Sequence, residues 1–390
     1  MAKKKMPTQK ELAEMGFDAL KYFPDFHGID RGDMADVPNA VWLECRAHGT
    51  LMKNGKPVYP IRAAKPGEEG YLENTLGGSD LAVAMGISPY KTAPELFYEK
   101  KGTVPRQSLD GIADILWMGH AMEKVLGEYL ESKTGLKLLK ITNMFQNPNY
   151  PWFLADFDGL AVDENGELVI VEYKTCRPQK KDEWGTDEFP TYPEYYETQV
   201  RGYMATANVN RAVFVACWGI TPSSDIVIRW VDRDLDKEKE LFDNGQAFID
   251  SLVNDEPPTM SCVDPEKALA ALARLFKGDK ALPSVELSGD KFIGSLEGFL
   301  KIDEKYQESK ALTKKLEDAR KACLVPLVEA MGEHLVGELY HPDTNKKYII
   351  RCTASTRRGI DKKALAEKYP DIATEFETVS VSKSYKIVEG

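Results

Sequence analysis

The chain is poor in the residues that hold soft metals. Five histidines and six cysteines are scattered over 390 residues, and no two cysteines form a CxxC pair. That scatter excludes a zinc ribbon, an iron–sulfur cluster or a disulfide framework, and it fits a reducing cytoplasm. No apolar run approaches the roughly 20 residues of a membrane helix, so no membrane partner is expected. The basic start, MAKKKMPTQKELAEMG, lacks a following apolar stretch and does not read as a secretory signal. Repeats and low-complexity tracts are absent. Positive charge is not in excess either: the formal net charge is −11. This excludes a surface coated with nucleic acid but leaves room for a local basic channel.

What is present is ordinary globular composition, 43% hydrophobic and 29% charged. Residues 1–75 alternate Pro, Gly and short polar runs and read as an irregular arm, in which KNGKPVYPI offers an Asn-Gly hairpin turn. Residues 76–255 carry sharper signals. GGSDLAVAMG reads as a short helix capped by Ser79 or Asp80, Pro94 opens a second helix, and residues 112–133 form a longer one. WFLADFDGLAV and ELVIVEYKT then read as a hairpin around Asn165-Gly166. PEYYETQVRGYMATA is a helix, RAVFVACWGI and DIVIRWV are strands, and a charged helix closes the block before NDEPPT. Residues 260–335 read as a helical segment in which Pro326 breaks or kinks the longest helix. Residues 336–390 read as a small β-rich domain ending in the strand SKSYKIV.

One strand poses a chemical question. In ELVIVEYKT, Leu168, Ile170, Glu172 and Lys174 share one face, so an aliphatic face ends in a carboxylate and an ammonium. Asp158 lies near the middle of the preceding strand, and antiparallel pairing lets it converge with Glu172 on one cation. A hard divalent ion takes carboxylates, carbonyls and water. Lys174 beside them can hold a water or answer charge growing on a phosphate. Glu123, in GHAMEKVL, is the candidate further carboxylate from a neighbouring helix. The layout suits metal-dependent phosphodiester cleavage.

Five stretches in order, LGGSDLAVAMGISPYKTAPELFYEKKG, WMGHAMEKVLGEYLESKTG, FLADFDGLAV, LVIVEYKT and YYETQVRGYMA, make residues 76–207 resemble the YqaJ-type viral recombinase family. These are phage alkaline exonucleases similar to lambda exonuclease, within the PD-(D/E)xK nuclease superfamily. The resemblance implies an α/β core: a mixed central sheet flanked by helices, followed here by helical and β-rich extensions. It implies one or two Mg²⁺ or Mn²⁺ ions held by Glu123, Asp158, Glu172 and the backbone carbonyl of Tyr173, with Lys174 orienting the attacking water. Tyr196 and Gln199 match positions lining the site, and Ser79 a position contacting a DNA phosphate. Arg46, in WLECRAHG, is a candidate phosphate contact placed about thirty residues upstream of its usual position, with Arg62 competing and residues 50–75 read as an insertion. Asp156 stands where some relatives have a small hydroxyl residue, which puts a 5′-phosphate requirement in doubt.

The activity implied is 5′→3′ digestion of linear duplex DNA, leaving 3′ single-stranded overhangs for recombination by strand annealing. A ring-shaped homo-oligomer acting on DNA ends and a single-strand annealing protein as partner are implied with it. The alternatives are an endonuclease on the same fold and a DNA-binding recombination scaffold whose nuclease residues have lapsed. Three further features are singled out. Thr344–Lys363 is basic, Lys100 and Lys101 lie at a helix end near the motifs, and His120 is expected to be structural.

Overall fold

The computed structural model describes residues 6–104, 113–260, 265–276, 278, 281–353 and 362–375. The expected final strand SKSYKIV lies outside them. The chain divides into two units, Met1–Lys277 and Gly278–Gly390. The division falls inside the stretch read from sequence as one helical segment.

The first unit begins with α1 (Gln9–Met15), β1 (Ile29–Asp33) and α2 (Asn39–His48). The arm is therefore more regular than its Pro and Gly content suggests. A tight hairpin follows, β2 (Met52–Lys53) and β3 (Lys56–Pro57), turned by Asn54 at φ 54° and Gly55 at φ 72°. Two positive φ values in succession are what an Asn-Gly turn supplies. Then come β4 (Leu76–Gly77), α3 (Gly78–Ala84), α4 (Ala93–Lys100) and α5 (Ala113–Thr134). Next are β5 (Lys137–Leu139), β6 (Asn143–Gln146), β7 (Phe153–Asp156), β8 (Gly159–Val162) and β9 (Leu168–Thr175). The unit closes with α6 (Glu194–Ala207), β10 (Arg211–Cys217), α7 (Pro222–Asp225), β11 (Ile226–Asp232), α8 (Leu235–Asn254) and α9 (Pro265–Leu275).

The fold is mixed α/β, as expected, with its strands in two main sheets. The larger runs β11-β10-β9-β8-β5. In it β9 and β10 are parallel and the other pairs antiparallel. A parallel neighbour needs a crossover, and α6 supplies it. The smaller sheet runs β1-β6-β7-β4. Both faces of β9 are covered, which explains its aliphatic run. Leu168 and Ile170 pack with Val200 and Met204 of α6, and Val169 and Val171 with Leu126 and Leu130 of α5.

One reading from sequence is corrected here. WFLADFDGLAV is not a single strand. It breaks at Phe157–Asp158, with β7 in the smaller sheet and β8 in the larger. Phe157 anchors the break in the core, stacked on Phe145 at 5.2 Å and edge-on to Tyr203 at 5.2 Å. The apolar runs FLA and LAV flank this point alike, so the runs themselves do not show the change of sheet.

Residues 50–75 dock on the smaller sheet. Arg31 of β1, 3% exposed, donates to Gln146, to the Thr50 carbonyl and to the Gly70 carbonyl. Thr50 returns a bond to the Arg31 carbonyl at 2.7 Å. Arg62 forms two 2.7 Å bonds with Glu68 within the same stretch.

The second unit holds α10 (Asp290–Met331), the hairpin β12 (Val336–His341) and β13 (Lys346–Arg351), α11 (Lys362–Lys368) and α12 (Pro370–Glu375). Pro326 lies inside α10 and does not end it.

Candidate active site

β9 brings Glu172 and Lys174 to the end of the larger sheet, on the face covered by α6. Lys174 Nζ donates to Glu172 Oε1 at 2.6 Å and to Gln199 Oε1 at 3.1 Å. Gln199 Nε2 donates to the same Glu172 oxygen at 2.6 Å. The Lys174 ammonium also sits 4.5 Å from the centroid of the Tyr196 ring, a cation–π contact. Asp158 arrives through the break between the sheets, and its Oδ2 accepts the Tyr173 backbone N–H at 2.9 Å. The sequence reading used the Tyr173 carbonyl; the contact formed here is its N–H.

Glu172 is 1% exposed, and its second oxygen, Oε2, is buried without a hydrogen-bond donor. An unpaired buried acceptor is costly. The neighbouring Asp158 carboxyl is another acceptor, so a shared proton or a cation is needed to reconcile the two. Burial, then the charge of Asp158, pushes the Glu172 carboxyl up to about 8, opposed by Lys174. Burial also raises Asp158, Asp156 and Glu123. Of these four raised carboxyls, Asp158 and Glu172 face the Lys174 ammonium, and two acids against one ammonium leave that pair short of positive charge.

That shortage bears on a metal. Among the described residues no three His, Cys, Asp or Glu side chains form a ready metal cluster. Glu123, on α5, is bonded to His120 Nδ1 at 2.9 Å. The ready donors are the Asp158–Glu172 pair with its orphaned oxygen. This fits a hard ion that keeps several of its waters, as Mg²⁺ does. His120 is not the structural residue expected: its side chain is 79% exposed and engaged with Glu123, a contact that their i,i+3 spacing could have shown.

The smaller sheet and α2 supply the other wall. Trp42 Nε1 donates to Asp156 Oδ2 at 2.5 Å, and Arg46 lies 5.3 Å from the Trp42 ring. Arg46 Nη2 donates to Ser79 Oγ at 2.9 Å. Arg46, not Arg62, thus stands with Ser79. Ser79 is not the cap of α3: that position is Gly77, whose N–H donates to Asp80 Oδ2 at 3.0 Å. The paired glycines of LGGSD have a steric reason. A Cβ on Gly77 would lie 2.3 Å from the Arg46 guanidinium, and one on Gly78 would lie 2.7 Å from both Gln199 and Tyr203. Beside this wall is a cavity of about 180 Å³ lined by Arg46, Ser79, Asp80, Lys91, Glu99 and Lys100, among others. Lys100 pairs with Asp80 at 3.1 Å and Lys91 with Glu99 at 2.5 Å.

Two residues escaped the sequence reading. Tyr203 OH accepts from Gln199 Nε2 at 3.0 Å and so props the amide that holds Glu172 and Lys174. It is four residues after Gln199 on one helix face, which was the available signal. Tyr90 OH lies 3.4 Å from Tyr196 OH, and no local pattern links them.

Residues 41–210 match the family described as the YqaJ-like viral recombinase domain. An uncharacterised protein, YqaJ of Bacillus subtilis strain 168, is 27% identical over 170 residues, 43% of this chain and 49% of that one. The chain thus spans about half the length of the curated relative it matches. Among solved structures, LHK-Exo in complex with dAMP is 18% identical, with a TM-score of 0.38 over 53% of this chain and 96% of that chain. A phage-related exonuclease from Haemophilus somnus 129PT is 17% identical, with a TM-score of 0.34 over 46% and 96%.

Proposed function

Since residues 41–210 carry a YqaJ-like viral recombinase domain, we propose that the chain is a metal-dependent exodeoxyribonuclease acting on the ends of linear duplex DNA. It works in the 5′→3′ direction and leaves 3′ overhangs for strand annealing. The observation that carries the reading is the Asp158–Glu172 pair, with one buried oxygen orphaned and Lys174 bonded beside it.

Asp158 and Glu172 would hold Mg²⁺ or Mn²⁺, with the Tyr173 carbonyl and Glu123 as further donors. Such an ion lowers the pKa of a water and neutralises phosphate charge. The protein's part is placement. Lys174, pinned by Glu172, Gln199 and the Tyr196 ring, aligns the attacking water in line with the leaving oxygen. Arg46 and Ser79 receive a neighbouring phosphate. A homo-oligomeric ring and an annealing partner belong to the same proposal, on the resemblance alone.

The test is digestion of linear duplex against covalently closed circular plasmid in Mg²⁺. Loss of the linear DNA alone is expected. Cleavage of the circle would give an endonuclease, and cleavage of neither would give a lapsed scaffold.

Two predictions concern the phosphate wall. Arg46→Ala should lower the slope of log affinity against log salt by about one, as for one lost phosphate contact. Gly77→Ala should do the same with the arginine present, because the new methyl displaces its guanidinium. Filter binding across salt concentrations reads both. If the Gly77 variant keeps the wild-type slope, Arg46 does not touch the backbone from this position.

Asp156 makes the second. Its carboxylate answers the charge of Arg46, so a terminal phosphate dianion there would meet a negative neighbour. Duplexes with 5′-phosphate and 5′-hydroxyl ends should be digested at comparable rates. Asp156→Ser should shift the preference toward the phosphorylated end in single-turnover assays. An unchanged ratio would remove Asp156 from end selection.

A further inference from the structure

We infer that the ring of Tyr90 is a stacking platform for one unpaired base of the cleaved strand, beside the scissile phosphate. The inference rests on the proposed nuclease reading. It adds a contact with the base, where the residues described so far answer to metal and phosphate.

The first ground is place. The Tyr90 hydroxyl lies 3.4 Å from that of Tyr196, and the Lys174 ammonium lies 4.5 Å from the centroid of the Tyr196 ring. One phenol therefore separates Tyr90 from the ammonium that aligns the attacking water. A phosphate held at Lys174 brings its own base, or the next one, within reach of Tyr90. Stacking on an aromatic side chain accepts every base, as stepwise digestion from an end requires.

The second ground is that the ring is both open and held. Tyr90 is 67% exposed. Tyr195 meets it at 5.7 Å and 88°, edge to face and not stacked, so at least one face of Tyr90 stays in solvent. Tyr90 also borders a cavity of about 240 Å³ between its loop and α9. An exposed ring on a loop ordinarily swings, and a ligand must then order it. Here the loop is fixed from behind. The Tyr90 N–H donates to Oγ of buried Ser88 at 3.2 Å, and the Pro89 carbonyl accepts from Lys267 Nζ of α9 at 2.8 Å. Two residues on, Thr92 caps α4 in a capping box with Glu95. Tyr195 is held in turn, its hydroxyl donating to Glu183 Oε2 at 3.0 Å. The platform is prepared before a base arrives, so little of the contact is lost to ordering it.

The experiment is photo-cross-linking of the full chain, with Lys174→Ala to hold the DNA uncut. The probe is linear duplex with 5-iodouracil placed in turn at each terminal nucleotide of the cleaved strand. Irradiation should join one of these positions to Tyr90, located by mass spectrometry of the digested adduct. Adding Tyr90→Ala should abolish the product, and adding Tyr90→Phe should keep it. With Lys174 present, Tyr90→Ala should slow single-turnover digestion by about tenfold, the scale of one base–aromatic stack, while Tyr90→Phe stays close to the wild type. An abasic nucleotide at the cross-linked position should erase the difference between wild type and Tyr90→Ala, because the ring then has nothing to stack on. Duplex that binds without cross-linking to Tyr90 overturns the inference and leaves the nuclease reading standing. A full chain that binds no duplex overturns both. A Tyr90→Phe variant as slow as Tyr90→Ala also overturns the inference, because the hydroxyl would then act through Tyr196.

Discussion

Lys174→Ala should reduce Mg²⁺-dependent cleavage of linear duplex by on the order of a thousandfold, the scale of losing one positioned charge at a reacting centre. Duplex affinity should change little, because the proposed phosphate contact at Arg46 remains. Lys174 is the ammonium that faces Asp158 and Glu172, two carboxyls whose pKa values burial raises. Its Nζ is fixed by two hydrogen bonds and one ring. Those supports are expected to matter less than the charge. Tyr196→Leu removes a cation–π contact worth about 1 kcal/mol, roughly fivefold in rate. Single-turnover rates at saturating enzyme measure both. A Lys174→Ala variant within tenfold of wild type would place the reacting water elsewhere.

The second large effect is on pH. In metal-free protein the Glu172 carboxyl lies near 8, above its value in an unfolded chain. A raised acid stabilises the fold fully below the unfolded value, and that contribution is lost as pH rises through the folded one. Between about pH 4.5 and 8 the chelated protein should therefore lose stability on the order of a few kcal/mol. Asp158 and Glu123, also raised, act with the same sign. Urea midpoints at pH 6 and pH 9 test this, with and without Mg²⁺. Chelated wild type should weaken at pH 9, Mg²⁺ should restore it, and Glu172→Gln should flatten the difference. Metal binding must displace a proton, so apparent Mg²⁺ affinity should rise with pH toward 8. A pH-independent midpoint in chelator would mean that Glu172 is already ionised in the fold.

The legibility of this protein was uneven for physical reasons. Glu172 and Lys174 could be read because a strand has a strict two-residue period, and an aliphatic face that ends in charge is anomalous. The α6 helix was legible by its composition, and Gln199 by its resemblance to a family position. Other residues depend on contacts between distant segments. Trp42 reaches Asp156 across 114 positions, and Tyr90 reaches Tyr196 across 106. No local period records such pairs. The break at Phe157 was hidden because both sheets bury the flanking residues, so the hydrophobic pattern is the same on either side. The capping residue of α3 was misread because Asp80 serves that end from inside the helix, with Gly77 at the cap.

The passage of one continuous backbone from the smaller sheet into the larger has a mechanical consequence. Asp158 is a joint: Asp156, two residues before it, is tied through Trp42 to α2, and Gly159, just after it, is in register with Val171 beside Glu172. Any sliding of one sheet against the other is therefore felt first as a change in the gap between the two carboxyls. A displacement of α2 would pass through Trp42 to Asp156 and from there, two residues on, to that gap. The arm and the strand that carries Glu172 then behave as two arms of one lever, and Asp158 is its pivot.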